Sequence, residues 1–131
     1  VIEIPGQTAP LHTLCVHLGL LEQERKEQLQ TLTERIDQHV PRDEPMIIAG
    51  DFNDWRRRAE HHLHDDLGLE ELFVKLQGRH ARTFPVWAPL LPVDRIYYRG
   101  LEPKSCQRLC NGHWRDLSDH AALSGVFQME G

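Results

Sequence analysis

The sequence predicts an α/β domain, and three features carry that expectation. Met46 to Ala49 is an unbroken apolar run bounded by Pro45 and Gly50, the pattern of a short strand buried on both faces. Leu20 to Val40 repeats Leu21, Leu29, Leu32, Ile36 and Val40 on one helical stripe, with Glu22, Glu24, Arg25, Lys26, Glu27, Glu34 and Arg35 covering the remainder. A β-prone segment, Leu11 to Leu18, precedes that helix, so the order is strand, helix, strand, a crossover unit.

Val1 to Ile4 and Leu11 to Leu18 are separated by Pro5-Gly6-Gln7-Thr8-Ala9-Pro10, whose Pro and Gly punctuate a turn, and a hairpin is expected there. In the second strand Leu14, Val16 and Leu18 face one way and Thr13, Cys15 and His17 the other, which puts His17 near the strand's C-terminal end. Pro41 ends the helix. Met46 to Gly50 then sits mid-sheet, and Gly50, lacking a Cβ, allows a tight turn or a close approach. In extended chain Asp51 and Asn53 point the same way while Phe52 turns into the core. A carboxylate and an amide thereby share the mouth of a buried strand, although an ordinary Asx turn explains the same residues.

Beyond Asn53 a polar loop carries Trp55 and the run Arg56-Arg57-Arg58, which reads as solvated or as a holder of phosphate oxygens. Ala59 to Phe73 is amphipathic, and Gly68 is expected to split it into two short helices. Its cluster His61, His62, His64, Asp65 and Asp66 is rich in potential metal ligands but has no matching ligand group at a defined spacing, and it fits a solvated helix face. Thr83 to Pro92 holds three prolines with Phe84 and Trp87, which excludes a central strand and suits either a groove wall or a surface loop. Asp94 to Gly100 and Leu101 to Leu109 read as strands, Asn111-Gly112 as a turn, and Ala121 to Met129 as a final strand closing the sheet.

Length and composition narrow the function. The 131 residues amount to one domain's worth of chain, and 40% hydrophobic content suffices for a core. With 15 basic and 20 acidic residues the formal net charge is −5, which argues against a broad non-specific surface for nucleic acid or anionic membrane. Cys15, Cys106 and Cys110 form neither a disulfide framework nor a paired zinc motif, so a reducing, cytoplasmic setting is expected. No apolar run reaches membrane-spanning length. Because the first residue is Val inside a strand-like segment, the sequence reads as beginning within a fold.

Four acid or imidazole groups fall at strand ends or turns: Val16-His17-Leu18, Gly50-Asp51-Phe52-Asn53, Asp94-Arg95-Ile96-Tyr97 and Ser118-Asp119-His120. In that order and spacing they resemble the endonuclease/exonuclease/phosphatase superfamily, metal-dependent phosphoesterases related to DNase I. The resemblance implies the C-terminal half of a DNase I-like four-layer α/β/β/α sandwich with a mixed, mostly antiparallel sheet, and residues 1–131 as one incomplete domain. It implies that His120 hydrogen-bonds the scissile phosphate or activates water, that Asp94 orients it, and that Asp51 is the base or acid. Asn53 would steady the oxyanion and His17 would protonate the leaving group, while Asp119 would be a carboxylate for Mg²⁺ or Mn²⁺. Phosphodiester cleavage needs charge neutralisation, an in-line water and a proton for the departing oxygen, which these residue types supply.

The family's first half, with an early Asn and the Glu that is its principal metal ligand, has no counterpart in this sequence. The expectation is therefore a fragment of a longer enzyme, nearly inactive in isolation because that metal ligand is absent, with association with a missing N-terminal half, self-association or a degenerate, catalytically inactive binding module as alternatives. That last reading would use Trp55, Phe84 and Trp87 for a partner, and a third would bind a transition metal on His61, His62 and His64. The expected substrate is a phosphate ester, with nucleic acid, phospholipid headgroup and small phosphodiester or sugar phosphate left open.

Overall fold

The computed structural model describes residues 1–130. Strand β1 (His12–His17) leads through helix α1 (Glu22–His39) to β2 (Met46–Asp51), and β1 and β2 pair in parallel, as a crossover unit must. A π-helical turn, His61–Asp66, is followed by the two-residue strand β3 (Glu70–Glu71) and helix α2 (Leu72–Gln77). Strands β4 (Asp94–Arg99) and β5 (Leu101–Leu109), the short helix α3 (His113–Leu117) and β6 (Ala122–Met129) complete the order. The main sheet runs β1-β2-β4-β3, with β4 antiparallel to both neighbours, so β2 is central.

The main sheet is covered on both faces. Ile48, Phe52 and Tyr97 pack with Leu29 and Ile36 of α1 and with Leu63, Leu67 and Leu69, all buried. The alternate residues Ile47, Ala49, Ile96 and Tyr98 face the other way, onto Leu101, Leu123, Phe127 and Met129 of the β5–β6 pair. This alternation explains why β2 lacks a polar face. The result is helix, sheet, sheet in layers. The superfamily's mixed, mostly antiparallel α/β character is present in this chain.

Three local expectations are corrected. The N-terminal hairpin is reduced to a single bridge between Ile2 and Leu11, because Pro5 and Pro10 bound the turn and neither can donate to a ladder. The last strand does not close the main sheet: β6 pairs with β5 as a separate two-stranded sheet lying across it. Ala59 to Phe73 breaks at Gly68 (φ +68°), but the second helix starts only at Leu72, where the Glu71 carboxylate caps it by accepting from Val74 N–H at 3.0 Å. The other Glu71 oxygen accepts from Ile96 N–H at 3.1 Å, tying this cap to β4.

Candidate active site

Register places three of the expected residues side by side. His17 pairs with Asp51 across β1 and β2, and Asp51 with Asp94 across β2 and β4, so an imidazole and two carboxylates end three neighbouring strands at one edge. His120, two residues ahead of β6, is brought over that edge from the second sheet. Its Nδ1 lies 2.6 Å from Asp94 Oδ2, and its Nε2 lies 3.8 Å from Asp51 Oδ2. His17 Nε2 is 3.7 Å from the same Asp51 oxygen, a charge-pairing distance rather than a hydrogen bond. Beside the cluster is a cleft of about 350 Å³ lined in part by Gly50, Asp94, Ser118 and His120.

Exposure separates the members. The Asp51, Asp94 and His120 side chains are half-buried, whereas His17 and Asp119 are 79% and 73% exposed, free to move toward a ligand. Asp119 has one oxygen 4.0 Å from His120 Nε2. Asn53 follows at the end of β2. Its backbone adopts φ +48°, its N–H donates to Asp51 Oδ1 at 2.9 Å, and its side-chain amide donates to Leu18 carbonyl at 2.6 Å. The Asx turn is therefore real. It aims Asp51, while the Asn53 side chain ties the end of β2 to the residue after β1.

The electrostatics favour proton exchange. Burial raises the Asp51 pKa above the ordinary carboxylate value, the Asn53 N–H pulls it down, and the neighbouring Asp94 charge raises it again, with a net upward shift. For His120 burial alone lowers the pKa, but the Asp94 hydrogen bond and the charges of Asp94, Asp51 and Asp119 outweigh it, and the net shift is upward. With Nδ1–H donating to Asp94, Nε2 is the nitrogen that faces Asp51 and the open side. A carboxylate that holds its proton more readily thus stands beside an imidazole that does the same.

Several supporting residues hold the cluster and its loops in place. Buried Thr83 accepts Asp94 N–H on its hydroxyl at 3.2 Å, and its carbonyl accepts Ala121 N–H at 2.7 Å, so one residue pins both halves of the Asp94–His120 pair. The Phe84 ring packs on His120 with centroids 4.9 Å apart. Asp54 accepts from Arg58 N–H at 2.9 Å and Ala59 N–H at 2.5 Å while pairing with fully buried Arg95 at 3.2 Å, which fixes the loop after Asn53. Within the arginine run Arg56 lies over Trp55 and Arg58 pairs with Glu22.

Asp51, Asp94 and His120 offer three ligand atoms all within 4.8 Å of one another, a donor set that fits a divalent cation. The His61, His62 and His64 cluster gives no such convergence among the described residues. His61 pairs with Asp65, His62 with Asp66, and His64 Nδ1 lies 3.0 Å from the Leu69 carbonyl.

The sequence profile of the Endonuclease/Exonuclease/phosphatase family matches residues 2–120, nearly the whole chain. The chain belongs to this family. Among curated proteins it is 49% identical over 127 residues to the uncharacterised protein YbhP of Escherichia coli, covering 96% of this chain and 50% of that protein. The chain thus spans about half the length of the curated relatives it matches first. Among solved structures, a functionally unknown conserved protein of Enterococcus faecalis superposes with a TM-score of 0.76 at 23% identity, covering 96% of this chain and 53% of the other. A mannosyl-6-phosphatase of Bacteroides thetaiotaomicron gives 0.70 at 19% identity, covering 86% and 49%. The fold is DNase I-like. No helix among the described residues is long and apolar enough to cross a membrane.

Proposed function

We propose that this chain carries acid, base and imidazole groups of a divalent-metal-dependent phosphoesterase. The observation that supports this reading best is the meeting of Asp51, Asp94 and His120 within 4.8 Å at the edge of the sheet, in a chain of the endonuclease/exonuclease/phosphatase family. Asp94 holds the His120 ring so that Nε2 faces the cleft, where it donates to a phosphoryl oxygen. Asp51 takes a proton from water or returns one to the departing oxygen, a task suited to a carboxylate whose pKa is raised by burial. His17, 3.7 Å from the same Asp51 oxygen and largely exposed, protonates the leaving group in this reading. Asn53 acts as a positioning residue through its turn.

Mg²⁺ or Mn²⁺ would be held by carboxylate oxygens of Asp51 and Asp94 and by Asp119 at the rim, leaving His120 Nε2 to donate. It would supply charge neutralisation on the phosphoryl oxygens. The mannosyl-6-phosphatase neighbour fits a phosphate-ester substrate, and phosphomonoesters belong beside diesters in any survey of substrates.

The test is hydrolysis of p-nitrophenyl phosphate and bis(p-nitrophenyl) phosphate by the purified chain, alone and combined with the family's N-terminal half, with Mg²⁺ or Mn²⁺, with chelator, and in Asp51→Asn and His120→Ala. The expected result is metal-dependent turnover that falls by about 10²- to 10⁴-fold in either variant while the unfolding midpoint changes little. Turnover indifferent to chelator or to both substitutions, or no hydrolysis of either ester even when the chain is combined with the family's N-terminal half, overturns the reading.

A further inference from the structure

A cavity of about 370 Å³ lies apart from the catalytic cleft, and its lining includes Arg79, Arg82 and Arg108 together with Gln77, His80 and Pro89. We propose that it is a second anion site, which takes an additional phosphate of a multiply phosphorylated substrate of the same centre. The proposal rests on the phosphoesterase reading above.

Three observations carry it. First, the arginine ion pairs among the described residues are made by Arg42, Arg58 and Arg95, and none by Arg79, Arg82 or Arg108. Three guanidinium groups therefore line one cavity without a carboxylate between them. Like charges so gathered repel, and an anion in their midst relieves the repulsion. Guanidinium forks also match the paired oxygens of a phosphate better than an ammonium does. The His80 ring, the buried part of the lining, turns Nε2 to Glu60, while Glu71, 3.4 Å from Nδ1, is taken up by the Val74 and Ile96 N–H groups.

Second, the chain that builds the cavity is tied to the chain that builds the catalytic pair. Arg82 directly precedes Thr83, which bonds to Asp94 N–H and Ala121 N–H. Arg108 pairs across the β5–β6 ladder with Leu123, three residues beyond His120, and donates to the Arg82 carbonyl at 3.2 Å. Because the Thr83 carbonyl meets Ala121 N–H at 2.7 Å and consecutive Cα atoms lie about 3.8 Å apart, the backbone at Arg82 lies on the order of 10 Å from that at His120. A single small molecule with two phosphates spans such an interval.

Third, the cavity stands against the charge of the whole. At a net charge of −5 the protein does not gather polyanions by its overall field, so a cluster of three unpaired arginines is a local recognition device.

The experiment is NMR titration of the arginine Nε–H and His120 ring resonances with two probes, thymidine 3′,5′-bisphosphate and fructose 1,6-bisphosphate. It is run on the unaltered chain, Asp51→Asn, and the double variant Arg82→Gln/Arg108→Gln, whose altered side chains are exposed. At least one probe is expected to move the Arg79, Arg82 and Arg108 signals and the His120 signals along one saturation curve. Its affinity should fall at least about tenfold in the double variant, the scale of a lost hydrogen bond to a charged group. Asp51→Asn should keep the arginine response. Whichever probe binds more tightly identifies the nucleotide or the sugar phosphate as the source. Arginine signals silent to both probes, or an affinity equal in the double variant, overturn the site. Hydrolysis that persists with silent arginines strikes this site alone, and arginine binding without any hydrolysis strikes the catalytic reading alone.

Discussion

Gly50 holds φ +144°, and a Cβ there would lie 2.0 Å from the carbonyl oxygen of Val16, so only glycine lets β1 and β2 close up just before His17 and Asp51. Gly50→Ala therefore combines backbone strain with a clash against backbone that cannot step aside. A loss of about 3 kcal/mol or more is expected from urea unfolding, and a loss under about 1 kcal/mol would mean the two strands are held apart. Chemistry at single residues also follows burial. The Cys106 thiol is pushed up by burial and by the nearby Glu71 charge, whereas Cys15 is exposed. Since the thiolate is the nucleophile, a raised pKa leaves less of it at a given pH. Iodoacetamide at pH 8 should label Cys15 well before Cys106, with the Cys106 rate climbing as pH rises, and mass spectrometry of timed digests reads the order. At this scale Asp51, Asp94, His120 and His17 were legible because carboxylates and imidazoles at strand ends stand out against a hydrophobic pattern. Asn53 was half legible: the sequence offers the amide and the Asx turn of Asp51, but the φ of +48° and the bond to Leu18 depend on how β1 and β2 pack.

At the level of elements, the loop after Asn53 is held by charge inside the protein. Asp54 accepts two backbone N–H groups of the following turn and meets the Arg95 guanidinium, which also reaches the Asp54 and Pro92 carbonyls. Both side chains are almost wholly buried, so removing one partner strands the other's charge. Asp54→Ala is expected to cost about 3–5 kcal/mol in denaturant unfolding. A double substitution of Asp54 and Arg95 by apolar residues of similar size should recover part of that loss, and its failure to do so would show that the backbone bonds rather than the ion pair dominate. Their pairing was not legible in the sequence, since Asp54 follows two more conspicuous polar residues and Arg95, though within a recognised motif, lies 41 positions away. Helix α1 and strands β2, β4, β5 and β6 were legible because periodicity survives whatever the tertiary partners are. The π-helical turn at His61–Asp66 was not, since one extra residue in a turn leaves the apolar spacing of Leu63 and Leu67 almost unchanged.

Across the molecule, catalysis as proposed requires two sheets to stay in register with each other. Asp51 and Asp94 belong to the main sheet, while His120 arrives with the β5–β6 pair, and which sheet β6 joins was beyond reach of a pattern that reports only that it is a strand. The contact that sets their spacing is close. A Cβ on Gly125 of β6 would meet Leu72 Cδ2 at 2.5 Å and Phe127 Cε2 at 3.3 Å, so a glycine lets the small sheet settle onto Leu72 and Ile96. Gly125→Val inserts a branched side chain there and must push β6 away from β4 or displace Leu72. An overpacking cost of about 1–3 kcal/mol is expected in thermal or urea unfolding. The catalytic effect should be larger than that stability loss implies, because lifting β6 carries His120 away from Asp94 and Asp51, and a displacement of about 1 Å at a reacting group can cost about 10²-fold. Measured well below the unfolding midpoint, where the folded fraction is unchanged, phosphate-ester turnover of Gly125→Val should fall with little change in KM. Turnover equal to that of the unaltered chain, in a variant destabilised as expected, would mean that His120 keeps its place through Thr83 and Phe84 alone and that the packing between the sheets does not set the geometry of the site.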